Sequence, residues 1–323
     1  MNPSISVALC TYNGERFIVD QLRSLAAQSI APDELLVLDD GSTDGTVAIA
    51  RGFAATAGFK VDVRVNPATL GTARNFEHAL SLCSGDILVL SDQDDVWLPH
   101  KLATLAAELE RRPDCLLVHS DARLVDSGLI DLGQSLFAGL RLQPRERQLM
   151  RAGEYFRLQL RRNVVTGSTV AIRRELLDLA RPFPDGWLHD EWLAIMAAAV
   201  GDIARIDEPL VLYRQHAGNQ LGMPRTSPWR DVRRVLATPG AIRRAMPQRL
   251  AALLTAMRRL GPRLPAWKLE LAEQTLAHAR FRAGLPVPRW RRLAPVLAEA
   301  ARGGYRRYSR GLKSVITDLL EPG

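Results

Sequence analysis

The sequence predicts an α/β protein: a mostly parallel, twisted sheet flanked by helices, followed by a helical C-terminal extension. Two observations lead to this prediction. Short apolar strand patterns alternate with helical patterns through the first 121 residues, at the spacing of β-α-β units. From Pro224 onward the pattern changes to arginine-rich helices punctuated by proline and glycine. We therefore predict an α/β domain over 1–223 and a basic, mainly helical region over 224–323.

Each predicted strand is a short apolar run bounded by turn residues. Most of the runs are nearly continuous in apolar residues, which is typical of strands buried on both faces. The third run alternates polar and apolar residues instead. The predicted strands are Ile5–Cys10, Glu34–Asp39, Lys60–Val65, Asp86–Leu90, Leu116–His119, Thr169–Ile172 and Leu210–Tyr213.

Helices are predicted between these strands from apolar residues that recur on one helical face. Ile18, Leu22 and Leu25 have this spacing, and Asp44 is expected to cap the helix that follows a glycine-rich turn. Further helices are predicted over Thr72–Leu82, Pro99–Arg111 and His189–Val200. In the C-terminal region, Leu250, Leu253, Leu254 and Met257 form one apolar stripe.

The composition is that of an ordinary globular protein. The chain has 323 residues, of which 47% are hydrophobic and 24% charged, and this excludes disordered, collagen-like and disulfide-rich classes. Three cysteines without a CxxC pair favour reduced thiols and argue against a thiolate metal site. No apolar run approaches the roughly 20 residues of a membrane-spanning helix, and the N-terminus lacks the basic region of a signal peptide. We expect a cytoplasmic protein, either free or peripheral on the inner face of the cytoplasmic membrane.

The charge is unevenly distributed along the chain. The net charge is +8, but residues 1–223 hold 22 basic and 29 acidic residues, whereas 224–323 hold 21 basic and 6 acidic residues. This asymmetry indicates an anionic partner for the C-terminal region, either membrane lipid or nucleic acid. Trp290, Leu293 and Leu297 fall on one helical face among arginines, which favours anionic lipid, whereas the acidic first region disfavours nucleic acid. The alternative is a solvated helical bundle.

Polar residues follow three of the predicted strands. The segments are Thr11–Glu15, Asp39–Ser42 and Ser91–Asp95, and together they contain at least five carboxylates. Because the carboxyl ends of parallel strands meet at one edge of the sheet, these groups are expected to surround one crevice. A divalent cation would relieve their repulsion, and oxygen ligands favour Mg²⁺ or Mn²⁺ with a bound phosphate. Taken singly, each segment could instead be a turn or an acidic loop before a helix.

These motifs resemble those of the family 2 glycosyltransferases of the GT-A fold. The resemblance is carried by Val7–Gly14, by Leu36–Thr46 and by Ser91–Trp97, whose aspartates look like the family's DxD metal motif. His189–Trp192 and Tyr213–Asn219 are most similar to the bacterial rhamnosyltransferase-like branch. The match runs from about residue 3 to about residue 222 and does not cover the basic tail.

The resemblance implies roles for the residues that match the family's motifs. Asp40 would hydrogen-bond the pyrimidine base, Arg74 would lie near the base or phosphates, and Asp92 would meet the ribose or the metal region. Asp94, Asp95 and His216 are the candidate ligands of Mn²⁺ or Mg²⁺. The expected nucleotide-sugar pocket comprises Thr11, Tyr12, Asn13, Glu15, Asp40, Arg74, Asp92 and Asp94.

The resemblance also implies the reaction. Asp190 matches the family's catalytic base, although Glu191 replaces the aromatic residue common in this branch. The implied activity is inverting transfer from dTDP-rhamnose or a UDP-sugar to a saccharide or lipid-linked oligosaccharide, in cell-surface polysaccharide synthesis. The alternatives are a non-catalytic nucleotide-binding scaffold, a nucleic-acid-binding protein that uses the basic tail, and a phosphotransfer receiver suggested by Asp39 and Asp40.

Overall fold

A computed structural model describes residues 3–216 and 241–321. Within these ranges the chain divides into two compact units. The first unit consists of residues 3–155, 164–183 and 187–216, and the second of residues 156–163, 184–186 and 241–321. The predicted boundary between Met223 and Pro224 lies outside the described residues and stays a prediction.

The described part of the first unit contains one nine-stranded sheet. The strands follow the order β3-β2-β1-β4-β8-β6-β9-β5, and β7 pairs with β6. Their bounds are β1 Ile5–Thr11, β2 Glu34–Asp39, β3 Lys60–Val65, β4 Ile87–Asp92, β5 Val96–Trp97, β6 Cys115–Val125, β7 Asp131–Ser135, β8 Val170–Arg173 and β9 Asp202–Arg214.

The sheet is mostly parallel, as predicted. Strands β1 to β4 pair in parallel, and so do β6 and β9. Strand β8 lies antiparallel between β4 and β6, and β5 and β7 are also antiparallel to their partners. The two short strands β5 and β7 were not predicted, because a two-residue strand and the polar sequence of β7 lack an apolar run.

The strand register places polar residues of three strands side by side. Thr11 at the end of β1 pairs with Asp39 at the end of β2, and Cys10 pairs with Asp92 at the end of β4. Parallel strands thus bring Thr11, Asp39 and Asp92 to one edge of the sheet, as the sequence predicted.

Helices cover both faces of this sheet. Val7, Leu9 and Val37 belong to one fully buried cluster together with Leu22 and Leu105 of the helices on that face. The alternate residues of the same strands are also buried, which explains their continuous apolar sequence. The helices of the first unit are α1 Ile18–Ala26, α2 Thr46–Ala54, α3 Thr72–Leu82, α4 Lys101–Arg111, α5 Leu136–Gly139, α6 Pro144–Arg151, α7 Tyr155–Gln159, α8 Arg174–Ala180 and α9 His189–Val200; residues 156–159 of α7 belong to the second unit.

The second unit is helical in its described residues. Its helices are α10 Ala241–Arg259, α11 Ala266–Ala283, α12 Leu293–Ala301, α13 Gly304–Tyr308 and α14 Leu312–Leu320. The predicted stripe of α10 is buried, with Leu253 and Met257 fully covered. A search of the described helices for one of sufficient length and apolarity to span a bilayer finds none.

Candidate functional site

Asp39 shapes the turn that follows β2. Its Oδ2 accepts a hydrogen bond from Thr11 Oγ1 (2.7 Å), and its Oδ1 accepts from the backbone N–H groups of Gly41 (3.1 Å) and Ser42 (2.7 Å). Gly41 has a φ of +89°, a conformation that favours glycine. Asp39 and Thr11 therefore join the ends of two neighbouring strands.

Asn13 and Glu15 connect the loop after β1 with the loop after β2. The Asn13 side chain accepts from Thr43 N (2.9 Å), and Asn13 N donates to Ser42 Oγ (2.8 Å). Gly45 N donates to Glu15 Oε2 (2.9 Å). The carboxylate and the amide oxygen thus hold backbone groups of the neighbouring loop, in addition to the pocket role that the resemblance implies.

Asp40 is buried beneath the loop that precedes α3. Its Oδ1 accepts from Asn66 Nδ2 and from Leu70 N, and its Oδ2 accepts from Gly71 N, each at 2.8 Å. A carboxylate has about four lone-pair sites, so Asp40 retains acceptor capacity beyond these three donors. The network fixes its orientation.

Arg74 lies in the first turn of α3. Its Nη1 donates to Glu77 Oε2 at 3.0 Å, and 43% of its side chain remains exposed. Arg74 follows the same Gly71 whose N–H holds Asp40, so it is positioned close in sequence to the predicted base-binding carboxylate.

Gln93 joins the loop after β4 to the loop after β1. Its Oε1 accepts from Tyr12 N (2.9 Å), and its Nε2 donates to Tyr12 O (3.0 Å). A Cβ atom at Gly14 would lie 2.1 Å from Gln93 Oε1, so a larger residue at this position would displace the Gln93 amide. The Tyr12 ring itself is exposed (52%), which leaves it available to a ligand.

Asp92, Asp94 and His216 form an acidic cluster with one imidazole. His216 Nε2 lies 2.8 Å from Asp94 Oδ2, and the two side chains are 16% and 17% exposed. Burial, followed by the negative charges of Asp94 and Asp190, raises the pKa of Asp92 to about 7. The positive charge of Lys101 opposes this rise.

Asp95 differs from Asp94 in its surroundings. Asp95 is fully buried, and its Oδ1 accepts from Arg214 N at 3.0 Å. Burial raises the pKa of Asp95, and burial lowers the pKa of Lys101, whose charge faces Asp95 and Asp92. Lys101 is also fully buried and donates to the carbonyl of Ser168 (2.6 Å). Asp95 and Lys101 are therefore a fully buried pair of ionisable groups, whereas Asp94 is partly exposed.

Arg214 holds the Asp94 loop in place. Its Nε donates to Asp94 O (2.7 Å), its Nη1 to Ser127 O (2.6 Å) and its Nη2 to Asp20 Oδ2 (2.9 Å). The guanidinium also lies 4.6 Å from the ring centroid of Phe17. One buried cation thus connects segments that lie more than a hundred residues apart in sequence.

Asp190 lies in the first turn of α9. Its Oδ1 accepts from Glu191 N (2.6 Å) and its Oδ2 from Gly167 N (3.1 Å). Burial raises the pKa of Asp190 to about 7, although these two hydrogen bonds oppose the rise. A Cβ atom at Gly167 would lie 2.6 Å from Nε2 of His189, which stacks on Phe76 with ring centroids 3.9 Å apart.

The carboxylates predicted from the sequence raise the pKa of the same buried side chains, Tyr213 and Cys10. Burial raises the pKa of Tyr213, which is raised further by four carboxylates: Asp95, Asp92, Asp94 and Asp190. The pKa of Cys10 is raised by burial first and then by charges that include Asp92 and Asp40. Asp92 is therefore electrostatically linked to Asp190, and Asp92 and Asp40 both act on the Cys10 thiol; all of these residues lie in the first unit.

The donor set suits a divalent cation that also binds a phosphate. In residues 3–216 and 241–321, no group of three or more His, Cys, Asp and Glu side chains is arranged to hold a metal ion by itself. Mg²⁺ is usually held by one or two carboxylates together with substrate phosphates and water. Asp94 and His216, together with the neighbouring Asp92, match this small number of protein ligands.

Four residues of the site were not predicted: Gln93, Lys101, Tyr213 and Arg214. Gln93 stands inside the Asp-Gln-Asp motif, and Tyr213 and Arg214 belong to a motif that carries the resemblance, so their positions were visible in the sequence. Their roles were not visible in the sequence, because the burial of Lys101 and Arg214 and the contacts of all four residues depend on tertiary packing.

Comparison with known sequences assigns the family. The model of glycosyl transferase family 2 matches residues 6–179. EpsE of Bacillus subtilis strain 168 is 31% identical over 142 residues, which cover 44% of this chain and 49% of that protein. The dTDP-rhamnosyl transferase RfbG of Shigella flexneri is 29% identical over 227 residues, covering 66% and 73%. The chain spans about half to two thirds of the length of the first curated relatives it matches.

Solved structures confirm the predicted GT-A fold. TarS 1-349 of S. aureus in complex with UDP-GlcNAc has a TM-score of 0.56 at 17% identity, with 98% of this chain and 89% of that chain covered. The mannosyltransferase PcManGT of Pyrobaculum calidifontis, in complex with GDP-Man and Mn²⁺, has a TM-score of 0.52 at 22% identity, covering 98% and 86%. The fold, the motifs and the family match agree, and the chain belongs to glycosyltransferase family 2.

Proposed function

We propose that the protein transfers a sugar from a nucleotide diphosphate donor to a saccharide hydroxyl, in a metal-dependent reaction that inverts the anomeric centre. The observation that carries this proposal is the meeting of Asp190 with the acidic cluster at the carboxyl edge of the sheet. Asp92, in that cluster, responds to the charges of both Asp94 and Asp190. Direct displacement needs a base for the acceptor hydroxyl, and in this proposal Asp190 supplies it next to the residues that would hold the cation.

Asp190 is proposed as the general base. It removes the proton from the acceptor hydroxyl as the oxygen attacks the anomeric carbon. Its raised pKa, about 7, makes it a stronger base than an ordinary carboxylate while leaving it largely ionised just above neutrality. The N–H groups of Gly167 and Glu191 fix both of its oxygens, so the carboxylate is oriented before substrate binds.

Asp94 and His216 are proposed to hold the cation, rather than Asp95. Asp94 is accessible and contacts His216, whereas Asp95 is fully buried and is held by Arg214 N. A bound Mn²⁺ or Mg²⁺ would offset the charge that develops on the leaving diphosphate. Arg214 keeps the Asp94 loop at a fixed place through the Asp94 carbonyl.

The donor is proposed to bind along the ends of β1, β2 and β4. Asp40 has remaining acceptor capacity for a base N–H, and Tyr12 offers an exposed ring. A dTDP-rhamnose or UDP-sugar donor is supported by the similarity to RfbG, described as a dTDP-rhamnosyl transferase, and to TarS, solved with UDP-GlcNAc. The acceptor is proposed to be a saccharide or lipid-linked oligosaccharide of a cell-surface polysaccharide.

The test compares Asp190→Asn with the matched variant Glu191→Gln, one residue along the same helix. Release of nucleotide diphosphate is measured with a panel of nucleotide sugars, Mn²⁺ and saccharide acceptors, and donor binding is measured by calorimetry. We expect Asp190→Asn to lose about 10²- to 10⁴-fold in kcat with unchanged donor affinity, because only proton removal is affected. Glu191→Gln should retain most activity.

Three outcomes would contradict the proposal. Unchanged turnover in Asp190→Asn would reject this base. Full activity of the wild-type protein in EDTA would remove the metal from the reaction. A wild-type protein that binds donors but transfers to no acceptor would favour the non-catalytic scaffold instead.

A further inference from the structure

Two helices of the second unit expose rows of large apolar side chains. On α12, Leu293 and Leu297 are 52% and 53% exposed and lie one turn apart. On α14, Leu312, Ile316 and Leu320 are 73%, 47% and 44% exposed and repeat every four residues. Such periodic exposure on one side of a helix differs from the scattered single apolar residues of an ordinary surface.

The exposed rows are not loosely packed segments, since each helix also contributes to a core. Val296 of α12 is fully buried and clusters with Tyr305, and Val315 and Leu319 of α14 pack against the same cluster. Each helix therefore has an inner apolar row that the unit covers and an adjacent outer row that it leaves in contact with solvent.

A buried arginine ties the segment before α12 to the end of α14. The Arg292 guanidinium donates to the carbonyls of Pro286 and Val287 on one side, and to those of Asp318 (3.1 Å) and Glu321 (2.8 Å) on the other. Arg292 is fully buried, so this junction excludes water. The Arg292 bonds place the exposed turn before α12 next to the C-terminal end of α14, where Leu320 lies.

Trp290 stands at this junction and, at 74%, is the most exposed large apolar side chain among the described residues of the unit. The guanidinium carbon of Arg291 lies 4.9 Å from the centroid of its ring. A tryptophan next to arginines is the residue pair that favours the boundary between lipid headgroups and acyl chains. We define the apolar face as Trp290, Leu293, Leu297, Leu312, Ile316 and Leu320.

The chain segment that carries the apolar face is mainly basic. From residue 287 to residue 321 the chain has eight basic and three acidic residues. All three acidic side chains have cationic or histidine partners inside the unit: Asp318 with Arg282, Glu321 with Arg243, and Glu299 with His278. The acidic residues therefore do not neutralise the outer surface.

Five arginines of this stretch are exposed, and in the described residues none of them forms an ion pair: Arg289, Arg291, Arg302, Arg306 and Arg307. Guanidinium groups that are free of carboxylates can bind phosphate oxygens, and their stems can lie along apolar surface. An anionic, partly apolar partner matches both properties at once.

We propose that the apolar face and its arginines dock the protein on a bilayer that contains anionic phospholipid. The two helices have nine residues each, so they lie in the headgroup region and do not cross the membrane. Two apolar rows on helices that pack together supply the burial, and the arginines supply the selectivity for anionic lipid. This docking does not depend on the proposed sugar transfer.

The experiment is flotation of the full chain with vesicles of phosphatidylcholine alone or of phosphatidylcholine with 30% phosphatidylglycerol. We expect the wild-type protein to float with the anionic vesicles and to be released by high salt. Leu297→Glu with Ile316→Glu should reduce the partition at least about tenfold, because charge enters the apolar rows. The matched control Ile130→Glu changes an exposed apolar residue of the first unit and should float normally.

A second pair of variants tests the charges. Arg289→Glu with Arg291→Glu should weaken binding to anionic vesicles by more than about fivefold for each arginine removed. The control Arg51→Glu, on an exposed position of α2, should have no such effect. Circular dichroism and gel filtration of every variant separate lost docking from lost folding.

Three results would overturn the proposal. The wild-type protein could fail to float with either kind of vesicle. The variants of the apolar face could float as well as the wild type. These variants could instead dissociate an oligomer of this chain. Salt-sensitive binding to RNA in place of vesicles would also reject it. Asp190→Asn must float like the wild type, so a failure of the proposed reaction is distinguishable from a failure of docking.

Discussion

Replacing Asp190 with asparagine is expected to change stability in a pH-dependent way as well as to abolish transfer. Folding raises the pKa of this carboxyl from its ordinary 3.8 to about 7, chiefly through burial. The folded state therefore holds the proton more tightly than the unfolded state between these two values. Ionisation in the unfolded chain destabilises the folded protein progressively as the pH rises from about 4 to about 7, by about 4 kcal/mol in total.

Asparagine removes this penalty but keeps only part of the hydrogen bonding. Its single carbonyl can accept from one of the two N–H groups that the carboxylate now binds, those of Gly167 and Glu191. The other N–H would face an amide NH₂, which costs about 1–3 kcal/mol. Asp190→Asn should consequently be less stable than the wild type at pH 4.5 and more stable at pH 8.

Urea denaturation of both proteins at pH 4.5 and pH 8 measures this effect. The stability difference between them should move by about 3 kcal/mol across that range. Asp92 acts in the same direction, because loss of the Asp190 charge lowers its pKa. Glu191→Gln removes only one charge that raises the pKa of Asp190, so this control should give a smaller change in the same direction. Identical pH dependence of the wild type and Asp190→Asn would refute the buried-carboxylate reasoning.

Further predictions concern the site and the second unit. If Asp190 is the base, as proposed, the kcat/KM of transfer should rise with pH and level off above about 7, because the base would act in its ionised form; a flat profile from pH 5 to 8 would contradict this. Gln93→Ala should raise the donor KM several-fold with little change in kcat, since it removes the two hydrogen bonds to the Tyr12 backbone; steady-state kinetics decide. Asp94→Ala should weaken activation by Mn²⁺ at least about tenfold in a metal titration, whereas equal activation would exclude it as a ligand. Asp318→Ala should destabilise the second unit by about 3–5 kcal/mol in thermal unfolding, because its guanidinium partner would stay buried without a counter-charge.

One edge of the sheet was predictable from sequence, whereas the opposite edge strand β5 was not. Strand β2 was predicted with its observed bounds, as were β3 and the helices α3 and α9, because period and turn residues mark them locally. The reversal of β8 was not predictable, since strand direction depends on which neighbours a strand joins. Asp44 accepts a hydrogen bond from Thr46 N, but the N-cap residue of α2 is Gly45 and its position carries no side-chain cap, so the prediction that Asp44 caps this helix was wrong.

The carboxylates of the site were predictable from the sequence, but the buried cations that contact their loops were not. Aspartates at strand ends and in the family's motifs stand out in a sequence, so Asp40, Asp92 and Asp190 are recognisable from the chain alone. Lys101 and Arg214 look like ordinary surface cations in the sequence, yet both are buried to 2% exposure or less. A single sequence does not report which cations are desolvated, because desolvation arises only when distant segments pack together.

The contacts of Arg214 bear on how the protein would bind the proposed nucleotide donor. Arg214 donates four hydrogen bonds. Its backbone N–H and one guanidinium N–H bind Asp95 and Asp94 in the loop after β4, and two further guanidinium N–H groups bind Asp20 and Ser127. The entropy of ordering that loop is therefore lost at folding and not at each encounter with a nucleotide. Arrival of the donor should leave this loop stationary, and a preorganised loop turns more of the contact energy into affinity.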